Sequence, residues 1–126
     1  MRQALALAAA CVALAAGLPA AAQPTDEARN VTDIRCVIVS GAIAQSDDPQ
    51  TKQIGEASLL YFLGRLEGRG ATANLVARIV DQAGKMSADD MKAQVPTCGA
   101  MVTAAGQSLE ALGAALQQKQ NGAAPK

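Results

Sequence analysis

Apolar residues recur at spacings of three and four through most of the chain, which is the spacing of one helical face. The first such segment, "TDIRCVIVSGAIAQ", places Ile34, Val37 and Ile38 on one face. Its β-branched residues also favour a strand, so a strand remains the alternative. Because no other segment supplies a partner strand, the pattern predicts a helix over 32–45.

A second amphipathic segment begins at Asp48 and Pro49, a capping residue followed by proline at the first helical position. Apolar side chains cover most of its circumference as far as Leu66. A helix that is apolar on most sides is predicted to be central, with neighbours on more than one face. Gly68 and Gly70 are predicted to end it.

Two more helices are predicted after this one. Apolar residues at helical spacing from Leu75 to Ala83 indicate a third helix, which ends at Gly84. The capping box "SADD", which starts at Ser87, opens a short helix. Pro96 is expected to interrupt or kink that short helix.

The last predicted helix carries a heptad seam, in which apolar residues alternate spacings of four and three. The seam consists of Cys98, Val102, Ala105, Leu109, Leu112 and Leu116. Beside it lies a glycine row with a period of seven, Gly99, Gly106 and Gly113. Glycine costs about 1 kcal/mol in a helix relative to alanine, so we expect the row to pack closely against another helix of the domain. A groove for a partner helix, including that of a homodimer, is the alternative.

The N-terminal segment has the layout of a secretory signal peptide. Arg2 precedes a run of leucine, alanine and valine, and small residues end at Ala22. We therefore expect residues 1–22 to be removed and the protein to be periplasmic or secreted; an uncleaved anchor is the alternative. Lipid attachment at Cys11 is disfavoured, because Ala8 holds the place where a lipoprotein signal usually has leucine.

The rest of the chain suits one domain. Residues 23–31 lack apolar periodicity and are predicted to form a flexible lead-in. The helical domain is predicted to cover 32–118, and 119–126 is predicted to be a disordered tail.

Cys36 and Cys98 remain after cleavage, and an even pair in an exported chain predicts a disulfide. Closing a loop of about 60 residues would stabilise the fold by roughly 4 kcal/mol. A redox-active pair is disfavoured, because there is no C-x-x-C spacing. The predicted fold class is therefore all-α, a small domain of four to five helices closed by Cys36–Cys98.

Composition excludes several kinds of chemistry. The chain has no histidine, which removes the usual proton shuttle and metal ligand. The 11 basic and 11 acidic residues balance, which argues against a nucleic-acid partner. No apolar run after residue 22 is long enough to span a membrane. We predict no cofactor, no metal and no catalytic activity; a small hydrolase using Glu56, Glu67 or Asp81 is an alternative.

The stretch "YFLGRLEGRG" supports two interpretations. Arg65 and Arg69 lie at or just beyond the end of a helix, where cations complement the helix dipole. They are also four residues apart, which puts both guanidinium groups on one face, as an anion-binding pair would require.

The segments "IRCVIVSG" around Cys36 and "PTCGAM" around Cys98 resemble those of small periplasmic one-disulfide helical proteins, of which the HdeA acid-stress chaperones are an example. The resemblance covers 32–116 and implies a chaperone that exposes its apolar helices in acid. "YFLGRLEGR" is also similar to a stretch in small exported proteins of Gram-negative bacteria that have no assigned function.

Taken together, these patterns predict a non-catalytic protein-binding module, with an HdeA-like chaperone and a small hydrolase as alternatives. The expected partner is another periplasmic protein or a second copy of the chain. The candidate interaction surface consists of Arg65, Arg69, Gly99, Gly106 and Gly113.

Overall fold

A computed structural model describes residues 25–122, all of whose regular structure is helical. The four helices are α1 (Asp26–Ile43), α2 (Pro49–Gly68), α3 (Leu75–Lys85) and α4 (Ala88–Gly122). The all-α prediction is confirmed for this part of the chain, and the strand alternative for the first element is wrong. The predicted signal peptide, 1–22, lies outside the described residues.

Helix α1 is the centre of the fold, because it packs against each of the other three helices. Among the described residues it also carries most of the buried ones. The expectation that α2 would be central is therefore wrong. Although α2 is apolar on most sides, Ile54 and Leu60 are 56% and 70% exposed.

Helix α1 begins earlier than the apolar pattern indicates. Thr25 caps it by accepting a hydrogen bond from the Ala28 N–H at 3.2 Å, and Asp26 and Glu27 occupy the first turn. Anionic side chains in the first turn interact favourably with the positive end of the helix dipole. Residues 25–31 are thus a cap and two helical turns, which corrects the predicted lead-in over 23–31.

The predicted limits of α2 are confirmed. Asp48 caps the helix and accepts a hydrogen bond from the Thr51 N–H at 2.7 Å. The helix ends at Gly68, and Gly70 adopts a left-handed conformation with φ 67°. There the Ala71 N–H donates to the Leu66 carbonyl at 2.8 Å, which turns the chain towards α3.

Helix α4 runs unbroken for 35 residues, about 50 Å, with Pro96 inside it. The predicted capping box is present, since the Asp90 N–H donates to the Ser87 hydroxyl at 3.1 Å. The interruption predicted at Pro96 is absent, because proline removes one backbone hydrogen bond and the turns on either side remain helical. The two helices predicted before and after Pro96 therefore form one helix. The helix also continues past 118 to Gly122, four residues into the predicted tail.

The core lies where α1, α2 and α4 meet. Buried apolar side chains there surround the pair of cysteines, namely Ile34, Val37, Phe62 and Leu66. The Sγ atoms of Cys36 and Cys98 lie 2.05 Å apart, at the distance of a disulfide bond, as predicted. This bond fastens α4 to the central helix.

Helix α4 contacts α1 on both sides of this bond. Met101 lines a cavity with Ala28 and Thr32, near the start of α1. Val95, Val102 and Thr103 line a groove with Ile43, at the end of α1. Every residue of α4 from 107 to 122 is exposed, so the C-terminal half of α4 lies outside the core.

Between residues 25 and 122, no helix is both long enough and apolar enough to cross a membrane.

Candidate functional site

A polar cluster at the α1–α2 contact contains both arginines that the sequence singled out. Asp33, on α1, is fully buried. Arg65 Nε donates to Asp33 Oδ2 at 3.0 Å, and Arg69 Nη2 donates to the same oxygen. Arg69 Nε also donates to Asn30 Oδ1 at 2.8 Å. Two cations at the C-terminal end of α2 thus neutralise one buried carboxylate of α1.

Tyr61 also contacts the Arg65 side chain. The Arg65 guanidinium donates to the Tyr61 oxygen at 3.1 Å and lies 5.5 Å from the centre of the phenol ring. Burial acts to lower the pKa of Arg65, but hydrogen bonds to Asp33 and Tyr61 and the charge of Asp33 together raise it above its ordinary value. Arg65 therefore stays cationic.

The predicted common face of Arg65 and Arg69 is present, since both reach the same Asp33 oxygen. The anion that they bind is a side chain of the same protein. An external anion is therefore not needed to explain why the two arginines lie together. The main effect of their contacts with Asp33 is to hold α1 against α2. This internal pairing argues against using the two arginines as an interaction surface.

The C-terminal half of α4 is the second candidate. Every residue over 107–122 is exposed. Leu109, Leu112 and Leu116, which we call the exposed stripe, are 68%, 55% and 53% exposed. By contrast Cys98, at the start of the same seam, is buried, and Val102 is half-buried. The seam therefore starts in the core and continues beyond it without a partner in the described chain.

The glycine row starts beside Cys98 and continues into this free part of α4. A Cβ atom added at Gly99, Gly106 or Gly113 would meet no atom within 4 Å. The expectation that the row packs closely within the domain is therefore wrong. Gly99 faces an open groove and Gly113 lies on the exposed half of the helix, so no backbone approaches either of them closely.

The close helix contact occurs instead at Gly55, in α2. A Cβ atom there would lie 2.8 Å from the Ala44 Cα and the Ile43 carbonyl carbon, and would also meet the Ala44 nitrogen. Real Cβ atoms do not approach backbone so closely, so only glycine lets α2 cross the end of α1 here.

A mainly apolar groove of about 270 Å³ lies between α1, α2 and α4. Its lining includes Val39, Ile43, Ile54, Phe62, Val95 and Val102. Gly99 also lines it, so the groove is continuous with the glycine row.

The carboxylates considered for hydrolysis do not form one site. Glu56 lines an open cavity of about 400 Å³ together with Asp47 and Lys52. Asp81 pairs with Lys85 on α3 at 2.7 Å. Within 25–122, no group of three or more acidic, cysteine or histidine side chains is arranged to hold a metal ion.

Two important residues were missed by sequence reasoning. Asp33 was not singled out, although it directly precedes Ile34 and lies one turn before Val37 on the buried side of α1. Its position beside these apolar residues could have predicted its burial. Gly55 carried no such signal, because its close contact depends on how α2 crosses α1.

The chain matches no protein-family model, and no curated protein or solved structure is significantly similar to it. The fold and the two sites therefore carry the functional argument by themselves, and the HdeA resemblance stays a prediction.

Proposed function

We propose that this protein is an exported, non-catalytic helical module that binds another protein chain through the free half of α4. The observation that carries the proposal is the exposed stripe of Leu109, Leu112 and Leu116 on a helical segment whose residues are all exposed. Aligned leucines at heptad spacing are typical of a surface that packs against another helix.

Helix stability supports the same proposal. Isolated helices of fewer than about 12–15 residues are marginal in water even when rich in alanine. The segment 107–122 contains Gly113 in its interior and ends at Gly122. Burying one leucine against a partner contributes about 1.5–3 kcal/mol, which would offset this weak propensity.

Export rests on two features. The N-terminal segment has the layout of a signal peptide, and Cys36 and Cys98 lie at disulfide distance. Disulfides persist in the periplasm and outside the cell, where thiols are not kept reduced. The proposed location is therefore periplasmic or secreted.

Photo-cross-linking tests the binding surface. A photoreactive amino acid replaces Ser108, beside the exposed stripe, in the tagged mature protein, which is irradiated in a periplasmic extract. We expect a discrete cross-linked product that disappears in Leu112→Glu. Leu60→Glu is the matched control, because Leu60 is an exposed leucine on α2, 70% exposed against 55% for Leu112, and it should leave the product unchanged. An equal yield in both variants would rule out the α4 surface.

An acid-activated chaperone is the second candidate, and Asp33 is the observation that favours it. This buried carboxylate joins α1 to α2 through Arg65 and Arg69, and a chaperone of this kind would expose the apolar side chains that the link keeps covered. The chain has no histidine, so any acid trigger would have to come from its carboxylates. A circular dichroism and dye-binding titration that finds packed helices down to about pH 2 would exclude this function.

A further inference from the structure

We propose that the chain bound by α4 is a second copy of this protein, with the two α4 helices packed antiparallel about a twofold axis. This inference rests on the proposed function and specifies its partner. The seam is already in coiled-coil register, and the nearest source of a helix with the same register is the same chain.

The shape of the molecule favours the antiparallel direction. The free half of α4 contains no buried residue and extends away from the core around Cys98. In an antiparallel pair, the two bodies lie at opposite ends of the joined helices. A parallel pair would bring both bodies to the same end of a segment only about 24 Å long, where they would compete for space.

One antiparallel alignment gives every seam leucine of the free half an apolar partner in the second copy. It places Leu109 opposite the partner's Leu112, and Ala105 opposite the partner's Leu116. The twofold axis repeats each pair, so a small residue always faces a large one at the outer layers. Four leucines fill the centre.

The same alignment explains the glycine row. Gly106 then lies opposite the partner's Gly113 on one side of the seam, and Ser108 lies opposite the partner's Ala115 on the other. Because both flanks are small, the two backbones can approach closely, as small residues permit in tight helix pairs. Gly106 and Gly113 have open space around them in the single chain, which leaves room for this approach.

The distribution of charge is compatible with a second copy. The positions that flank the seam hold glycine, serine, alanine and glutamine, so no charge beside the seam would repel an identical helix. The free half contains Glu110 and Lys119, one charge of each sign, and Glu110 lies off the seam. Two copies therefore meet without like charges facing each other, and their helix dipoles oppose.

Sedimentation velocity of the mature, oxidised protein tests the proposal. We expect a concentration-dependent dimer across the micromolar range, since the interface is at the small end of specific interfaces. Leu112→Glu should weaken dimerisation on the order of 100-fold, because two charges would enter the centre of the interface. Leu60→Glu, with the same change on α2, should dimerise like the wild type. Circular dichroism checks that both variants fold.

Introduced charge pairs test whether the two α4 helices run antiparallel. In the antiparallel alignment position 108 faces position 115 of the partner. Ser108→Lys combined with Ala115→Glu should therefore tighten the dimer several-fold, and Ser108→Glu combined with Ala115→Glu should weaken it by a similar factor. In a parallel pair these positions do not face each other, and equal affinities for the two double variants would overturn the antiparallel arrangement.

A wild-type protein that stays monomeric at every concentration would overturn the dimer. The cross-linking experiment then separates the two proposals. A product with another protein that requires Leu112 would preserve the proposed function without self-association. Loss of both the dimer and any product dependent on Leu112 would reject both proposals.

Discussion

At the scale of single residues, Gly55 and Asp33 control how α1 meets α2. Gly55 provides contact without a side chain, and Asp33 provides an ionic link from inside the core. The two act differently, because Gly55 depends on the space between backbones and Asp33 depends on charge. Each can be tested with a matched residue in the same protein.

Gly55→Ala is expected to destabilise the protein by about 1–3 kcal/mol, because the added methyl group would overlap the Ala44 backbone. Gly64→Ala is the control on the same helix, with no atom within 4 Å of the added Cβ. It should be neutral or stabilising by up to about 1 kcal/mol. Urea unfolding measures both, and similar values would contradict the close helix crossing.

Asp33→Asn keeps the shape of the side chain but removes its charge. We expect a loss of about 2–3 kcal/mol in the free energy of unfolding, less than for a fully buried pair, because the arginine side chains remain 31% and 22% exposed. Asp81→Asn is the control, since its pair with Lys85 is on the surface, and it should change stability by less than about 0.5 kcal/mol. Equal effects would show that the Asp33 cluster is not a structural link.

At the scale of helices, α4 differs from the rest because its two halves have different surroundings. Its N-terminal half is capped by Ser87 and Asp90 and is fastened to α1 through Cys98. Its C-terminal half, residues 107–122, contains only exposed residues in the single chain. The first half therefore belongs to the stable body, and the second half presents the surface proposed for binding.

The cap of α4 should depend on pH. The Ser87 hydroxyl, followed by the Ser87 N–H, lowers the pKa of Asp90 by hydrogen bonding to its carboxylate. A lowered folded-state pKa adds stability above the unfolded value, about 3.9, and that stability is lost as pH falls through the folded value.

Asp90→Ala should therefore lower the melting temperature at pH 7, and its difference from the wild type should shrink towards pH 2. Thermal melts at several pH values measure this. Asp89→Ala is the control, because the Asp89 carboxylate lies one residue away in the same turn but is not part of the capping box. A difference that stays constant with pH would mean that the charged cap does not act as described.

At the scale of the whole molecule, the fold is held by one central helix rather than by mutual contacts of all four. α1 contacts every other helix, and the covalent link between α1 and α4 closes 62 residues of sequence. Contacts made through one helix leave the others partly exposed, which accounts for the open groove beside α4.

Breaking the Cys36–Cys98 bond is expected to destabilise the fold by about 4 kcal/mol, since the closed loop is long. Cys36→Ala combined with Cys98→Ala makes this change permanently and can be compared by urea unfolding with the oxidised protein. Amide hydrogen exchange should show the largest loss of protection in α4. A uniform loss over all helices would mean that α4 does not detach separately.

Local patterns alone predicted much of this fold. The cap at Asp48, the stop at Gly68 and Gly70, and the capping box at Ser87 depend on hydrogen bonds within a few residues, which adjacent residues specify. The cysteine pair was predictable because only two cysteines, Cys36 and Cys98, follow the predicted signal peptide. The start of α1 was missed, because its first turns are polar and show no apolar period.

The sequence by itself determined that the described chain is helical, where most helices start and stop, and that α4 carries a heptad seam. Only the tertiary structure decided that α1 is central, that Arg65 and Arg69 bind Asp33, and that the exposed stripe has no partner within the domain. The reason is physical. Helical periodicity and capping depend on neighbours along the chain, whereas burial and ion pairing depend on which helices meet in space.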